Sequence, residues 1–195
     1  MFAPRHGSDV ARLIETRVLG TITTYDAEGF IATPLPLLAV CDGDGAVEEF
    51  IGHFARSNPQ VARAQQNPVA QITFLGAQGY VSPTIVSKPG WAPTWNYQFA
   101  QFEVEIEFRP EQNDAAIRAL IGHMEGFDDG AWSVDQVGER YARLVPHVVA
   151  FRASVRSQTV KFKLGQDEDR TSFDEIVAWL GEDRLALAMI EQRVE

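Results

Sequence analysis

The sequence predicts a mixed α+β fold: a small curled β-sheet of six or seven strands with peripheral helices. Two observations carry this expectation. Short runs alternating apolar and polar residues, the two-residue period of a half-buried strand, recur along the chain between Gly-, Asp- and Pro-rich turns. Segments with apolar residues three and four apart lie among them, too irregularly placed for repeating βαβ units. The 195 residues, 45% of them hydrophobic, suit one domain over 1–195, with a surface or dimer-contact helix at 172–194.

The first helix spans Ser8 to Leu19, where Val10, Leu13, Ile14 and Leu19 share a face, Ser8 or Asp9 can accept first-turn amides, and Gly20 ends the helix. Thr21–Tyr25 and Phe30–Leu37 flank the turn-prone Asp26-Ala-Glu-Gly29 and predict a hairpin. Pro34 and Pro36 have no amide hydrogen, so the second strand is an edge or is distorted. Cys41-Asp-Gly-Asp-Gly45 forms the next turn and Val47–His53 the next strand. A short helix follows over Asn58–Gln66, with Asn58 as cap and Pro59 in the first turn, where its missing N–H costs least.

Val69–Leu75 and Gly79–Pro83 read as strand, turn and strand, and a loop through Lys88–Thr94 leads to a strand reaching Phe108. In that strand Val104, Ile106 and Phe108 face the core while Glu103, Glu105 and Glu107 face water, which makes the glutamates a solvated face rather than acid–base catalysts. Glu111–Phe127 and Ser133–Leu144 read as helices separated by Asp128-Asp-Gly130. Val148–Val155 and Thr159–Leu164 form the final strand pair, with a helical region beyond Ser172.

The charge balance narrows the function. With 17 Lys and Arg against 27 Asp and Glu the chain carries a formal charge of −10, which repels phosphate backbones and argues against direct nucleic-acid binding. Cys41 is the only cysteine, so neither an intrachain disulfide nor a cysteine-ligated cluster can form, and a reduced cytoplasmic location fits. No run approaches the roughly 20 apolar residues of a membrane span. The GxGxxG, phosphate-loop, HExxH, CxxC and GxSxG patterns are all missing.

Chemistry concentrates at Ile51-Gly-His-Phe-Ala-Arg-Ser-Asn-Pro-Gln60. His53 ends a strand just before a helix start, where it is either a hydrogen-bonded structural residue or, as neutral imidazole, a ligand for haem iron. Arg56 can pair with a haem propionate or a phosphate. Tyr80, Trp95 and Tyr97 fall in strand-like segments as aromatics that can fill the core. Lys161 and Lys163 flank Phe162, so both amines can face one way while the ring enters the core.

Five spaced segments, Met1-Phe-Ala-Pro-Arg-His6, Gly52–Gln60, Tyr80-Val-Ser-Pro83, Pro93-Thr-Trp-Asn-Tyr97 and Lys161-Phe-Lys-Leu-Gly-Gln166, make the chain resemble the PaiB-like split-barrel family of FMN-binding proteins and transcriptional regulators. The resemblance spans most of positions 1 to 180 and implies a split β-barrel that dimerises, with a cofactor near the subunit junction. The family includes haem-dependent piperazate synthases, which form a nitrogen–nitrogen bond in a small N-hydroxylated amino acid. By that resemblance His53 is the axial ligand of heme b; Arg56, Asn58, Ser82, Trp95, Tyr97, Lys161 and Gln166 line the cofactor; and Tyr80 and Lys163 are candidates for catalysis. The alternatives are an FMN- or haem-binding regulator and a flavin-dependent oxidoreductase.

Several residues depart from the family pattern. Val61 stands where an aromatic residue is common, Gly76-Ala-Gln-Gly-Tyr80 replaces a GPxAY segment, Gln98-Phe-Ala-Gln-Phe102 replaces a histidine-bearing one, and Gly165 replaces a serine.

Overall fold

The computed structural model describes residues 2–128 and 130–193, so Met1 of the first motif, Asp129 of the expected break and the last residue of the expected 172–194 helix lie outside them. In chain order the elements are α1 (Ser8–Arg17), β1 (Leu19–Asp26), β2 (Gly29–Cys41), β3 (Val47–Ala55), α2 (Pro59–Gln66), β4 (Val69–Val81), β5 (Thr94–Phe108), α3 (Asn113–Glu125), α4 (Glu139–Leu144), β6 (Val148–Lys163), α5 (Arg170–Leu180) and α6 (Arg184–Gln192). The six strands form an antiparallel barrel in the order β1-β2-β3-β6-β5-β4, closed by a ladder between β4 and β1, with the helices outside. This is the mixed α+β split-barrel architecture.

The barrel interior is a phenylalanine core of Phe50, Phe54, Phe74, Phe102, Phe151 and Phe162, all essentially inaccessible to solvent. Alternation puts Phe50, Gly52 and Phe54 of β3 inward, and Gly52 has no side chain because there is no room for one: a Cβ there would lie 2.7 Å from both Leu37 and the Phe151 ring. On β5 the expected pattern holds, with Val104 and Ile106 buried, Phe108 half-buried and the three glutamates exposed.

The expected hairpin is present, with Asp26 paired to Gly29. β2 then changes neighbour: Gly29–Pro36 pairs with β1, whereas Leu37 onward pairs with β3. Among the described residues Pro34 and Pro36 therefore sit in the half-strand laddered on one side only, which reconciles them with a long regular strand.

Several boundaries differ from the expectation. α1 ends at Arg17, because Val18 turns the chain at φ 47° and Leu19 and Gly20 already belong to β1; Leu19 is exposed rather than part of the helix face. Neither Ser8 nor Asp9 caps α1, since Gly7 holds the cap position; buried Asp9 accepts instead from the His6 N–H at 2.8 Å and from Gln192 Nε2 at 2.7 Å, tying α1 to α6. β4 is one strand carrying a bulge between Leu75 and Gln78, not strand, turn and strand. β6 is likewise continuous: Arg156 sits at a bulge, and Ser157, Gln158 and Thr159 pair along β5 rather than turning. Gly138 breaks the expected 133–144 helix into a 3₁₀ turn and α4, and Gly181 divides the C-terminal region into α5 and α6.

α2 is held by its first residues. Asn58 Oδ1 accepts from Gln60 N–H at 2.9 Å, the cap expected of it, and Asn58 Nδ2 donates to Thr33 Oγ1 at 3.1 Å. The Gln60 side chain is fully buried. Its Nε2 lies 3.2 Å from Ile22 O, Thr24 Oγ1 and Ile31 O, while its Oε1 accepts from Thr33 Oγ1 at 2.6 Å. The Asn-Pro-Gln motif thereby fastens α2 across the β1–β2 hairpin.

Candidate functional site

The outer face of β4, β5 and β6 gathers most of the residues singled out in the sequence. Cross-strand register sets Tyr80 beside Trp95, Gln78 beside Tyr97 and Lys163, and Leu75 beside Phe99 and Lys161. Tyr80 and Trp95 are each 50% exposed, their ring centroids 6.0 Å apart with planes tilted by 54°. These rings are thus not barrel-core residues; β-alternation gives the core to Asn96, Ala100 and Phe102 and turns Trp95, Tyr97 and Phe99 outward. The Trp95 indole is fixed by donating to Gln78 Oε1 at 2.7 Å.

Phe162 points inward and the two flanking lysines outward, as expected. Lys163 Nζ donates to Thr94 Oγ1, and the Lys161 ammonium sits 5.9 Å from the centroid of the Tyr97 ring and 5.8 Å from that of Phe2. Ser82 follows β4 and caps the short turn Pro83–Ile85, accepting from Thr84 N–H at 3.2 Å. Gln166 closes the turn after β6: its Oε1 accepts from Leu164 N–H at 2.8 Å and its Nε2 donates to Phe162 O at 2.6 Å. Both its polar groups thus serve the backbone.

Gly165 occupies that turn at φ 78°, a conformation that favours glycine. A Cβ there would lie 3.7 Å from Asn96 Nδ2, and buried Asn96 Oδ1 has no hydrogen-bond partner among the described residues. Gly165 therefore stands beside an amide whose oxygen is unsatisfied among the described residues.

His53 and Arg56 lie elsewhere. Alternation turns His53 to the outer face of β3, opposite Ala150 at the start of β6, whereas Lys163 ends that strand. α3 packs along this outer side of β3 and β6. Burial pushes the His53 imidazole below its ordinary pKa and favours the neutral ring. The sign for stability follows: the unfolded chain takes up this proton near pH 6.5, the folded chain only at lower pH. Stability is therefore expected to fall as pH drops below about 6.5, and denaturant titrations of His53→Gln should show a shallower fall over that window.

Arg56 donates from Nε to Pro146 O at 2.7 Å and from Nη2 to Val148 O at 2.9 Å, so much of its donor fork clamps the segment entering β6. Within one chain, then, the structure brings Tyr80, Ser82, Trp95, Tyr97, Lys161, Lys163 and Gln166 to one end of the sheet and leaves His53, Arg56 and Asn58 at another. Gln78 and Thr94, which orient Trp95 and Lys163, were not foreseen; their signal is only their place beside these residues in the strand register. Among the described residues no cluster of three or more His, Cys, Asp or Glu side chains could hold a metal ion, and no helix is long and apolar enough to cross a membrane.

Similar folds occur among solved structures. The FAD- and heme-binding protein from Mycobacterium smegmatis is 16% identical with a TM-score of 0.60, over 89% of this chain and 78% of that one. The flavocytochrome Anf3 from Azotobacter vinelandii is 10% identical with a TM-score of 0.59, over 81% and 68%. The conserved protein Rv2991 from Mycobacterium tuberculosis is 15% identical with a TM-score of 0.56, over 80% and 86%. At these identities the likeness is one of fold. Comparison with curated proteins found no match. The family model described as "Putative FMN-binding domain" matches residues 1–157, most of the chain, and the chain belongs to that FMN-binding split-barrel family.

Proposed function

We propose that this protein binds a flavin, FMN foremost, on the outer face of β4, β5 and β6, and works as a homodimeric flavin-binding regulator or oxidoreductase. The observation that carries the reading is the exposed Tyr80–Trp95 pair, braced by Gln78 and bordered by Lys163. The donor set fits the group. Half-exposed aromatic faces suit a planar heterocycle, and a lysine at its edge suits a ring system that gains negative charge on reduction. Bound FMN would supply hydride or electron transfer. The chain's own part is to stack Trp95 on the ring with the tilted Tyr80 ring against its border, present Lys163 at its edge and cover one side from water.

A second reading, a haem-dependent enzyme forming a nitrogen–nitrogen bond in a small N-hydroxylated amino acid or related amine, is favoured by one observation: burial keeps His53 in the neutral form that binds iron. In that reading Tyr80 and Lys163 orient the substrate and His53 holds heme b. Since His53 and the aromatic face lie at opposite ends of β6, a site using both takes His53 from a second copy of the chain.

The absorption spectrum of the purified protein, followed by separate titrations with FMN and hemin, discriminates the two. Saturable FMN binding with the spectrum of oxidised flavin is expected. Hemin binding with an axial-histidine spectrum that disappears in His53→Ala, together with no FMN binding, would reverse the order of the readings.

A further inference from the structure

Beside the aromatic face lies a cleft floored by the β4 bulge. Two adjoining cavities, of about 400 and 370 Å³, are both lined by Arg17, Ala77 and Arg184, and the second also by Leu75, Gly76 and Gln78. Arg17 is the last residue of α1 and Arg184 the first of α6. Neither guanidinium has an ion-pair or hydrogen-bond partner among the described residues. The neighbouring charges are occupied. Arg12 is paired with Asp9 at 3.2 Å and with Glu191 at 3.3 Å, and Asp183, the one acid lining the smaller cavity, accepts from Leu185 N–H at 2.7 Å as the cap of α6.

The floor and one wall of the cleft are rigid. A Cβ on Gly76 would come within 2.5 Å of Leu13 and 2.7 Å of Gln98, so the bulge is pressed against α1, and Ala77 N–H is held by Gln98 Oε1 at 3.1 Å. Val18, directly after Arg17, has φ 47°, a strained conformation for a β-branched residue, and is pinned there by bonds from its own N–H to Ile14 O at 2.7 Å and from Leu37 N–H to its carbonyl at 2.8 Å. That strained turn sets where α1 stops and so places Arg17 at the cleft.

We propose that Arg17 and Arg184 bind the phosphate monoester of a ligand whose planar part lies on the Tyr80–Trp95 face. The assignment rests on the flavin reading and deepens it. Gln78 joins the two halves, lining the arginine cleft while accepting from the Trp95 indole. Two guanidinium forks match phosphate geometry better than an ammonium does, and neither Lys163, which borders the aromatic face, nor Lys161, which lies near the Tyr97 and Phe2 rings, lines this cleft. Arg184 lies beyond the residues matched by the family, so the cleft is built jointly by the barrel and this chain's C-terminal helix.

The test compares FMN with riboflavin, which lacks the phosphate, by flavin-fluorescence titration of the full chain and its Arg17→Gln/Arg184→Gln variant. The wild type is expected to bind FMN at least about tenfold more tightly than riboflavin, and the variant to bind both alike with riboflavin affinity unchanged. Inorganic phosphate should compete with FMN and not with riboflavin in the wild type. If both flavins bind and the FMN preference survives in the variant, the phosphate assignment is overturned while the flavin reading stands. If the wild type binds neither flavin, both fall. Unchanged riboflavin binding in the variant guards against a folding defect.

Discussion

Gln60→Ala is expected to destabilise the protein by about 3 kcal/mol or more, the cost of a buried cavity plus buried polar groups left without partners. The side chain has no solvent exposure, and its amide meets Ile22 O, Thr24 Oγ1, Ile31 O and Thr33 Oγ1. Truncation strands Thr24, itself buried, and removes the acceptor from Thr33, so the β1–β2 hairpin and α2 lose their common fastening. Urea denaturation followed by circular dichroism checks this, and a midpoint within error of the wild type would show that water replaces the amide without cost. Gln60→Glu separates shape from donor capacity: it keeps the volume, loses the NH₂ group and should be destabilised as well.

Trp95→Ala is expected to weaken FMN binding by about tenfold or more, the range measured when an aromatic stacking platform is removed from under a planar ring. Half of the indole surface is exposed, so folding stability should change far less than affinity. Gln78→Ala should weaken binding to a smaller extent, because it frees the indole that Gln78 Oε1 holds at 2.7 Å without removing it. Fluorescence titration with FMN reads both variants. Full affinity in Trp95→Ala would remove the aromatic face from the site.

Much of the fold was readable because its signals are local. The Asp26–Gly29 turn, the Asn58 cap with Pro59 behind it, and the apolar–acidic alternation of β5 depend on residues a few positions apart. β4 and β6 were each read as two strands because a bulge shifts the period of each and a solvated polar stretch also interrupts the hydrophobicity of β6, while the ladder resumes on both sides of each bulge. For the site, the sequence identified the segments but not their grouping. The outward turn of His53 was already implied by Phe50, Gly52 and Phe54 facing the core, yet its separation from Lys163 depends on the β3–β6 register. Gln60 escaped notice because its partners come from β1 and β2, 27 to 38 residues away. The arginine cleft needs both ends of the chain.

The change of neighbour along β2 has a consequence for association. Among the described residues, Gly29 to Pro36 has a registered partner only in β1, leaving a margin on which an extended segment of another chain could dock. Leu37 N–H points back to Val18 O, so one residue out of phase the amide positions of 34 and 36 lie on the free side, and both are proline. An incoming strand would find no donor at either of these two positions. With Phe30 78% exposed at the hairpin tip nearby, strand addition along this margin would therefore lack two of its ladder bonds, as proline on an edge strand entails.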